Sequence, residues 1–431
     1  MSSSTVPASA RHRILKTYDW SLKASVNCSE SLKNLQPIVR VLLHFEDGDT
    51  EVAEFTKDQF EVFLGQLETF YSKVVMPLIH RHIDGETSHQ YAIRAVSWGL
   101  LPRFSKSLKE YPELKCEFLG KQLKNPIGLA AGFDKNGEAI RSLAELSGFG
   151  LIEIGTVTPI PQKGNPRPRV FRLLEDEGII NRYGFNNDGV GRVQQRVKAA
   201  RAVWNDNLAM FGVNIGKNKL CDEARLDYEI GVTYFAAYSD YIVINVSSPN
   251  TPGLRAIQKK SDLQKLLAFI KQSVDVMELD SRPRVLLKIA PDLTENEKKD
   301  IAQVVLDTKY GVDGLIVSNT TTSRPGSLQS DSRGEAGGLS GAPLRRISTE
   351  CVRDMYRFTN GRVPIVGCGG VSSGADAYEK IRAGASVVQL YSAIAFHGFP
   401  VVGKIKRELV ELLRRDGYAN VSQAVGADHR I

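Results

Sequence analysis

The sequence of 431 residues has few cysteines and no long apolar run. Its five cysteines include no CxxC pair, and an odd number in a chain of this length favours free thiols in a reducing compartment. No stretch approaches the roughly 18 to 20 consecutive apolar residues that a membrane span needs. The seven histidines are not spaced as zinc or iron ligands, so we expect no metal site. A P-loop and a GxGxxG fingerprint followed by an acidic residue are also absent.

The amino-acid composition indicates a large folded protein. Hydrophobic residues make up 42% and charged residues 24%, which supports a sizeable core and excludes the disordered and fibrous classes. The 56 basic and 49 acidic residues leave a net charge of +7, spread through the chain. This excess argues weakly for an anionic ligand or a membrane surface, and poorly for nucleic acid.

The N-terminal part differs in texture from the rest. Residues 1–18 are rich in serine and begin with a stretch free of acidic residues, which predicts a tail or a weakly transit-like segment. Over 19–70, the apolar runs 38–45 and 51–55 flank an Asp-Gly turn at 46–49, which predicts a β-hairpin. Thr56 is expected to cap a following helix whose apolar side carries Phe60, Phe63, Leu64, Leu67 and Phe70. This pattern resembles a COMM domain, a module for protein interaction and dimerisation; an unrelated appendage is the alternative.

The apolar pattern of residues 71–104 predicts a pair of short helices with apolar faces. The segment Asp84-Gly85-Glu86-Thr87 joins them, and either Asp84 or Thr87 is expected to cap the second helix. The simpler interpretation is a helical hairpin packed on the following domain. The alternative is a lid or funnel that opens toward lipid.

From Leu123 onward, short β-branched runs alternate with helical patterns. The eight predicted strands are 126–131, 150–157, 210–215, 241–246, 285–290, 314–319, 363–368 and 386–391. Apolar strands alternating with helices in one unbroken series favour an α/β fold of the (β/α)₈ barrel type over a doubly wound sheet. We expect this barrel over 105–418 and a C-terminal tail over 419–431. The chemistry of such a barrel lies at the carboxyl ends of its strands.

Polar side chains follow most of these strands. They are Lys135, Thr156, Asn214, Asn245, Ser248, Lys288, Ser318 and Asn319. Buried polar groups without partners are costly, so a ring of them predicts a ligand. Lys135 and Lys288 would meet an anion there, and Lys288 is the better candidate for the negative charge of a reduced flavin. The alternative for either lysine is a rim salt bridge to Asp134 or Asp292.

Glycines follow the last strands of the predicted barrel. The run 367–374 after the seventh strand and Tyr391-Ser392-Ala393 after the eighth would expose backbone N–H groups to a phosphate. The segment 337–341 could close over the same phosphate. These features predict a phosphorylated cofactor or substrate.

Five longer motifs add a resemblance to a known family. They are NPIGLAAGFDKNGE at 125–138, GNPRPR at 164–169, NRYGFN at 181–186, NVSSPNTPGLR at 245–255 and GGLSG at 337–341. Together they are similar to class 2 dihydroorotate dehydrogenases over about residues 76–417. The resemblance implies an FMN-binding (β/α)₈ barrel that oxidises dihydroorotate to orotate in pyrimidine synthesis and reduces ubiquinone.

The resemblance also implies roles for single residues. Ser248 matches the base that takes the C5 proton while hydride leaves C6, whereas a cysteine there would mark class 1 enzymes. Thr251 and Phe185 match residues that position a relay water, and Lys288 completes the catalytic set. The substrate contacts would be Lys135, Asn181, Arg182, Tyr183, Gly184, Phe185, Asn245, Asn250, Asn319 and Thr320. The FMN contacts would be Ala131, Gly132, Lys135, Thr156, Asn181, Asn214, Asn245, Lys288, Ser318, Gly341, Gly370, Tyr391 and Ser392.

The hairpin at 71–104 would form the quinone tunnel, with His80, His89 and Arg172 at tunnel positions. The family suggests the mitochondrial inner membrane, but its usual membrane span is replaced here by the COMM-like stretch. Attachment through 71–104 would then be peripheral, or the protein soluble. Two alternatives stay open, namely another FMN-barrel oxidoreductase and an adaptor that acts through residues 19–70 and binds a protein partner.

Overall fold

The computed structural model describes residues 15–25, 36–45, 49–56, 59, 62, 65, 66, 69–101, 104–205 and 208–430. The chain divides into two compact units, one ending at Tyr71 and the other beginning at Ser72. Residues 46–48 of the turn predicted at 46–49 lie outside the described residues, as do Phe60, Phe63, Leu64 and Leu67 of the predicted helix face.

The first unit contains a three-stranded antiparallel sheet in the order β1-β2-β3. Its strands are β1 (Leu15–Ser25), β2 (Gln36–Phe45) and β3 (Thr50–Thr56). The pairing of β2 with β3 confirms the predicted hairpin. β1 begins inside the segment predicted as a tail. Thr56 caps the turn after β3, because its Oγ1 accepts from the Gln59 N–H at 3.3 Å and its own N–H donates to Gln59 Oε1 at 3.0 Å.

The second unit is built on a closed barrel of eight parallel strands, which confirms the predicted fold. In chain order its strands are Ile127–Leu129, Leu151–Val157, Met210–Ile215, Tyr241–Asn245, Arg284–Ile289, Gly314–Val317, Ile365–Cys368 and Val387–Leu390. We call them β6, β7, β10, β11, β12, β13, β15 and β16, because other short strands lie between them. Each corresponds to one of the eight predicted runs. Their side chains are almost wholly buried, which explains the continuous apolar texture of these runs.

Helices follow the strands and cover the barrel. They are α4 (Ile140–Leu146), α5 (Gly189–Arg201), α6 (Ala224–Phe235), α7 (Lys260–Asp275), α8 (Glu295–Leu306), α9 (Arg345–Thr359), α10 (Gly374–Arg382), α11 (Ser392–His397) and α12 (Pro400–Arg415). On α12, Val402, Ile405 and Leu409 are fully buried at the spacing of one helix face. Burial of each such side chain contributes about 1.5–3 kcal/mol.

Two small antiparallel sheets interrupt the regular series. β4 (Cys116–Phe118) pairs with β5 (Lys121–Leu123) before the first barrel strand. β8 (Val170–Leu173) and β9 (Gly178–Asn181) follow β7, and β14 (Gly338–Gly341) follows β13. Since β14 pairs with β9, this second sheet ties together two excursions at the carboxyl end of the barrel.

The predicted helical hairpin precedes the barrel. It consists of α1 (Met76–His82), entered through a π-helical turn at Tyr71–Val75, and α2 (Gly85–Ser97); a short helix α3 (Ser105–Leu108) follows. The cap of α2 is Asp84, whose side chain accepts from the N–H groups of Glu86 and Thr87. Met76, Ile93 and Val96 are buried. Within the part of the chain that the structure describes, no helix is long and apolar enough to cross a membrane.

The segment predicted as a C-terminal tail is packed and ordered. It contains α13 (Val421–Ala424), whose two end residues are fully buried. The Gly426 N–H donates to Ile381 O at 3.0 Å, and Asp428 pairs with Arg382 at 2.8 Å. These contacts fix the segment on α10.

Candidate active site

Amide and hydroxyl side chains form a continuous hydrogen-bonded ring at the carboxyl ends of the strands. Thr156 Oγ1 donates to Asn214 Oδ1 at 2.6 Å, and Asn245 Nδ2 donates to both Thr156 Oγ1 at 3.0 Å and Asn214 Oδ1 at 3.1 Å. Asn319 Nδ2 continues the ring to Ser247 Oγ at 3.0 Å. The ring joins residues of β7, β10 and β11 to the loop after β13. The structure thus brings together four of the side chains predicted to contact substrate or cofactor.

A buried carboxylate, Glu153 on β7, lies beneath this ring and was not singled out in the sequence. Its side chain is fully buried and accepts from Asn214 Nδ2 at 2.8 Å and Gln389 Nε2 at 2.7 Å. Lys288 Nζ lies 3.9 Å from Glu153 Oε1. The predicted alternative of a salt bridge from Lys288 to Asp292 is wrong, because Asp292 is paired with Arg255 at 2.8 Å.

The loop after β11 carries Ser248 and Thr251. Ser248 is 6% exposed, and its Oγ accepts from the Asn250 N–H at 3.3 Å. Asn250 Nδ2 in turn donates to Asn181 O at 3.1 Å. Thr251 Oγ1 is buried and has no partner among the described residues. A buried hydroxyl without a partner has room for one more hydrogen bond, which is what the predicted relay water requires.

The loop holding Ser248 is fastened by Arg255. This guanidinium donates to Ser247 O at 2.9 Å and to Thr320 O at 2.8 Å, and it pairs with Asp292. The clamp joins the Ser248 loop to the loop after β13, because Thr320 follows Asn319 directly.

Lys135 lies on the loop after β6, beside Tyr183. Its ammonium sits 4.2 Å from the centre of the Tyr183 ring, a cation–π contact. The alternative of a salt bridge to Asp134 is wrong, because Asp134 is fully buried and accepts from the N–H groups of Glu138 and Ala139. Burial, with the nearby Arg169 charge, lowers the pKa of Lys135 to about 8. This lysine is therefore charged at neutral pH and ready for an anionic ligand.

The segment 182–185 reaches the ring from β9. Phe185 adopts a left-handed backbone conformation with φ 54°, next to Gly184 with φ 71°. Tyr183 is buried, and its hydroxyl has no partner among the described residues. The Arg182 guanidinium pairs with Glu335 at 2.6 Å and lies 4.5 Å from the Phe171 ring, so it is already engaged.

A polar cavity of about 490 Å³ opens between α2 and the loop after β6. Its lining includes His89, Lys135, Tyr183 and Asn186. It brings a predicted tunnel residue next to two predicted substrate residues.

Glycines shape the region predicted to hold a phosphate. A Cβ at Gly370 would lie 2.5 Å from Arg345 Cα, and one at Gly341 would lie 2.2 Å from Glu177 O, so neither position has room for a side chain. Ser392 Oγ donates to Ser340 Oγ at 2.9 Å, which joins the start of α11 to β14. The segment 337–341 therefore contacts the loop after the eighth barrel strand.

The remaining predicted cofactor residues lie beside this region. Ala131 and Gly132 follow β6, and the Gly132 N–H donates to Gly155 O at 2.8 Å. Ser318 Oγ donates to Asn319 O at 2.9 Å. The donors, the cation and the glycine-lined backbone fit a planar anionic cofactor with a phosphate. Among the described residues, no cluster of His, Cys, Asp and Glu could hold a metal ion.

The predicted tunnel residues lie between the hairpin and the barrel. His80 Nε2 donates to Ala395 O at 2.7 Å, and His89 Nε2 donates to Phe133 O at 2.6 Å. A carbonyl can only accept, so both Nε2 atoms carry hydrogen. Burial, helped by the Lys135 charge, lowers the pKa of His89 to about 4, which keeps it neutral. The third residue, Arg172, donates to the carbonyl of Ile83 between α1 and α2.

Tyr391 connects this region to the cofactor side. Its ring centre lies 5.7 Å from that of His89 and 5.7 Å from that of Phe133. Tyr391 also lies 3.6 Å from where a Cβ of Gly132 would be. One aromatic side chain thus contacts both a predicted tunnel residue and a predicted cofactor residue.

The hairpin is fixed to the barrel by Glu86, a contact that the sequence did not reveal. Its carboxylate pairs with Arg169 at 2.7 Å and with Arg167 at 2.9 Å, and the side chains of Glu86 and Arg169 are 7% and 8% exposed. The signal in the sequence was the repeated arginine of the GNPRPR motif.

Comparison with known proteins agrees with this geometry. A family model described as dihydroorotate dehydrogenase matches residues 113–413. The chain is 51% identical to "Dihydroorotate dehydrogenase (quinone), mitochondrial" of Mus musculus, covering 84% of this chain and 91% of the mouse protein. It is 50% identical to "Dihydroorotate dehydrogenase (quinone)" of Rhodospirillum rubrum, covering 81% and 92%.

Solved structures are similar as well. Ligand-free DHODH from Eimeria tenella superposes with a TM-score of 0.77 at 45% identity, covering 81% of this chain and all of that one. The family model spans more than half of the chain, and the likeness to the mouse protein extends over most of both sequences. The chain belongs to the dihydroorotate dehydrogenase family.

Proposed function

We propose that this protein oxidises dihydroorotate to orotate and passes the electrons through FMN to ubiquinone. The observation that carries the proposal is the amide ring at the strand ends, set beside a buried serine and a buried threonine hydroxyl that has no partner among the described residues. Relatives named as quinone-dependent dihydroorotate dehydrogenases support the same reaction.

The ring is suited to a flat substrate with alternating donors and acceptors. Asn181, Asn250, Asn245 and Asn319 carry amides that both donate and accept, which matches the edge of a pyrimidine ring. Lys135 supplies the positive charge for the substrate carboxylate. The loop clamp by Arg255 holds Asn250 and Thr320 in register with the strands.

Ser248 takes the proton from C5 of the substrate in this proposal. A serine hydroxyl is a poor base, so it must give up its own proton at the same time. Thr251 Oγ1, three residues along the same loop, offers an open hydrogen-bonding position for a water that accepts that proton. The Phe185 ring packs against the core beside Gly216 and would limit the access of bulk water.

FMN would be held by two groups of residues. Thr156, Asn214, Asn245 and Lys288 would bind its polar ring edge, and Gly341, Gly370 and Ser392 would surround its phosphate. When bound, FMN supplies the acceptor for the hydride that leaves C6 of the substrate. Lys288 places a positive charge where reduction creates negative charge.

Quinone would reach the barrel along the hairpin. His80, His89 and Arg172 line the route, and Tyr391 is the side chain that connects it to the cofactor region. Because His89 is neutral and donates through Nε2, its Nδ1 is left as an acceptor.

The hairpin would also make peripheral contact with a membrane. Val74, Leu78, Trp98 and Leu100 are 40%, 52%, 73% and 64% exposed, which is a large apolar surface for one hairpin. Relatives from mouse, rice and Arabidopsis are named as mitochondrial. We place this protein by analogy at the mitochondrial inner membrane, with the hairpin as its point of contact.

Residues 19–70 would act as a separate interaction module for a protein partner or for dimerisation. Support comes from their position in a compact unit with its own antiparallel sheet and helix cap. Deletion of residues 1–70 should leave turnover unchanged and abolish any such association. If the deletion abolishes turnover, the module is part of the enzyme.

The test of the main proposal is an acceptor comparison with the purified full chain. We expect a yellow protein that reduces decylubiquinone with dihydroorotate and does not use fumarate or NAD⁺. A colourless protein, or one that prefers fumarate or NAD⁺, would overturn the proposed function. Fractionation into membrane and soluble pools tests the proposed location.

A further inference from the structure

We infer that Glu153 is a positioning residue that sets the electrostatic environment of the cofactor through Lys288 and Asn214. The inference rests on the proposed function, because it concerns the FMN that Lys288 would contact. Glu153 is absent from the residues that the motifs assign. It belongs to the interior of the barrel, one level below the ring of side chains that faces the ligand.

The first reason to assign Glu153 a role is the free-energy cost of burying its carboxylate. A fully buried carboxylate loses its hydration, and buried ion pairs are often replaceable by apolar side chains without loss of stability. The neighbouring side chains on β7, Ile152 and Ile154, are apolar and also fully buried. A barrel that needed only stability would have no reason to keep an acid here.

The partners of Glu153 are the second reason. Its Oε1 accepts from Asn214 Nδ2, and its Oε2 accepts from Gln389 Nε2. Asn214 is therefore forced to present Oδ1, and not its NH₂ group, to Thr156 and Asn245. Glu153 thus determines that Asn214, a predicted FMN contact, turns its amide oxygen toward the ring.

The distance to Lys288 is the third reason. Lys288 Nζ lies 3.9 Å from Glu153 Oε1, which is close enough for electrostatic attraction but too far for a hydrogen bond. Within the described residues it donates no hydrogen bond, although its side chain is only 6% exposed. Glu153 therefore offsets the charge of Lys288 and leaves its N–H donors available to a ligand.

The measurable consequence is the reduction potential of bound FMN. Glu153 places a negative charge behind Lys288 and so weakens the positive field that favours reduced, anionic flavin. Glu153→Gln removes the charge, keeps the shape and keeps one acceptor oxygen for Asn214. The other oxygen becomes an NH₂ group, which Gln389 can meet by turning its Oε1 toward it, because that oxygen has no partner among the described residues. We expect the variant to hold reduced FMN at least tenfold more tightly relative to oxidised FMN, which is a rise of about 30 mV for two electrons.

The potential should be measured at pH 6 by dye-coupled reduction of the full-length holoenzyme. Asp240→Asn is the matched control. Asp240 has a 6% exposed side chain that pairs with Lys121 and Arg201, and it precedes β11 at the opposite end of the barrel. This control should leave the potential unchanged.

A second comparison covers the case in which Glu153→Gln does not fold. Lys288→Met and the double variant Lys288→Met/Glu153→Gln differ only in the charge of Glu153, and the double variant leaves no buried charge unpaired. We expect the potential of the double variant to exceed that of Lys288→Met. Equal potentials in this pair, or in wild type and Glu153→Gln, would overturn the inference. A wild type without FMN would overturn the proposed function and the inference with it.

Discussion

At the scale of single residues, the proposed roles of Ser248 and Thr251 depend on where the structure places their two hydroxyl groups. Ser248 is buried and, among the described residues, its Oγ accepts only from the backbone N–H of Asn250, so its own hydrogen is free to point elsewhere. Thr251 Oγ1, on the same loop, has no hydrogen-bond partner among the described residues, as the proposed relay water would require. The proposed chemistry would therefore depend on one loop, which Arg255 holds against the neighbouring loop.

Replacement of Ser248 by alanine should remove the proton acceptor and leave the cofactor in place. We expect kcat with dihydroorotate to fall by about 100- to 10,000-fold, the usual contribution of a positioned base. The flavin absorbance per protein should stay at the wild-type level. Ser239→Ala, at a buried serine just before β11, is the control and should retain activity. A fully active Ser248→Ala protein would contradict the proposed role.

Lys135 should make substrate binding depend on pH. Its lowered pKa of about 8 means that the ammonium form predominates below pH 8 and is lost above it. Attraction for the substrate carboxylate is lost with it, so KM for dihydroorotate should rise toward tenfold per pH unit above pH 8. The check is KM measured from pH 6 to 9.5, compared with Lys135→Gln, whose KM should be high and flat. A wild-type KM that is constant across this range would contradict the assignment.

At the scale of elements, α2 is both a wall of the polar cavity and a part fixed to the barrel by charge. Glu86 is in its first turn, and the arginines it pairs with precede β8. Arg169 lowers the pKa of Glu86 against the opposing effect of burial, so the carboxylate is ionised at neutral pH. The contact joins the hairpin to the excursion that also carries Arg172.

Glu86→Gln should loosen α2 and leave the substrate ring intact. Removing one partner of a buried pair costs about 3–5 kcal/mol, and we expect the low end because Arg169 keeps two backbone carbonyl acceptors. At pH 6, well below the pKa of Lys135 that the Glu86 charge helps to raise, KM for quinone should rise while KM for dihydroorotate stays the same, and amide exchange in α2 should increase. The control is Glu145→Gln, which removes an exposed pair with Arg141. Equal effects on both KM values would count against a separate role for the hairpin.

The elements also show what the sequence could reveal. All eight barrel strands were predictable, because each is a short apolar run followed by a helix. The sheet of β8, β9 and β14 was not, because β14 pairs with β9 across more than 150 residues of sequence. Glu153 was missed for a related reason. It is visible as a single acid in the run LIEIGTV, but its partners come from other strands that meet it only when the barrel closes.

At the scale of the whole molecule, the barrel has buried polar side chains at the carboxyl ends of its strands, whereas the hairpin at 71–104 has exposed apolar side chains. Trp98 and Leu100 stand at the end of α2, where they are among the most exposed large apolar side chains of the described residues. The net charge of +7 adds attraction to anionic lipid. Both features support the proposed membrane contact, which would be reversible and would weaken with salt.

Replacing Trp98 and Leu100 together by serine should weaken binding to vesicles that contain anionic lipid. Each apolar side chain contributes about 1.5–3 kcal/mol when buried, so we expect the partition coefficient to fall at least tenfold. Turnover with a soluble quinone should change little. Val276→Ser, at an exposed site beyond the end of α7, is the control for sedimentation with vesicles. Unchanged binding of the double variant would exclude this surface as the contact.

The hydrogen-bonded ring has one further property, which is its direction. Because Glu153 can only accept, Asn214 must turn its NH₂ group toward it and its oxygen toward Thr156 and Asn245. Asn245 must then turn its oxygen toward Ser247 and Asn319. The orientation of each amide is set by its hydrogen bond to the preceding one. The Glu153 carboxylate, beneath the ring, therefore fixes the order of donors and acceptors that a ligand would meet at the strand ends. Deamidation of any one of these asparagines to aspartate would replace a donor with an acceptor and would disrupt the hydrogen bonds of the whole ring.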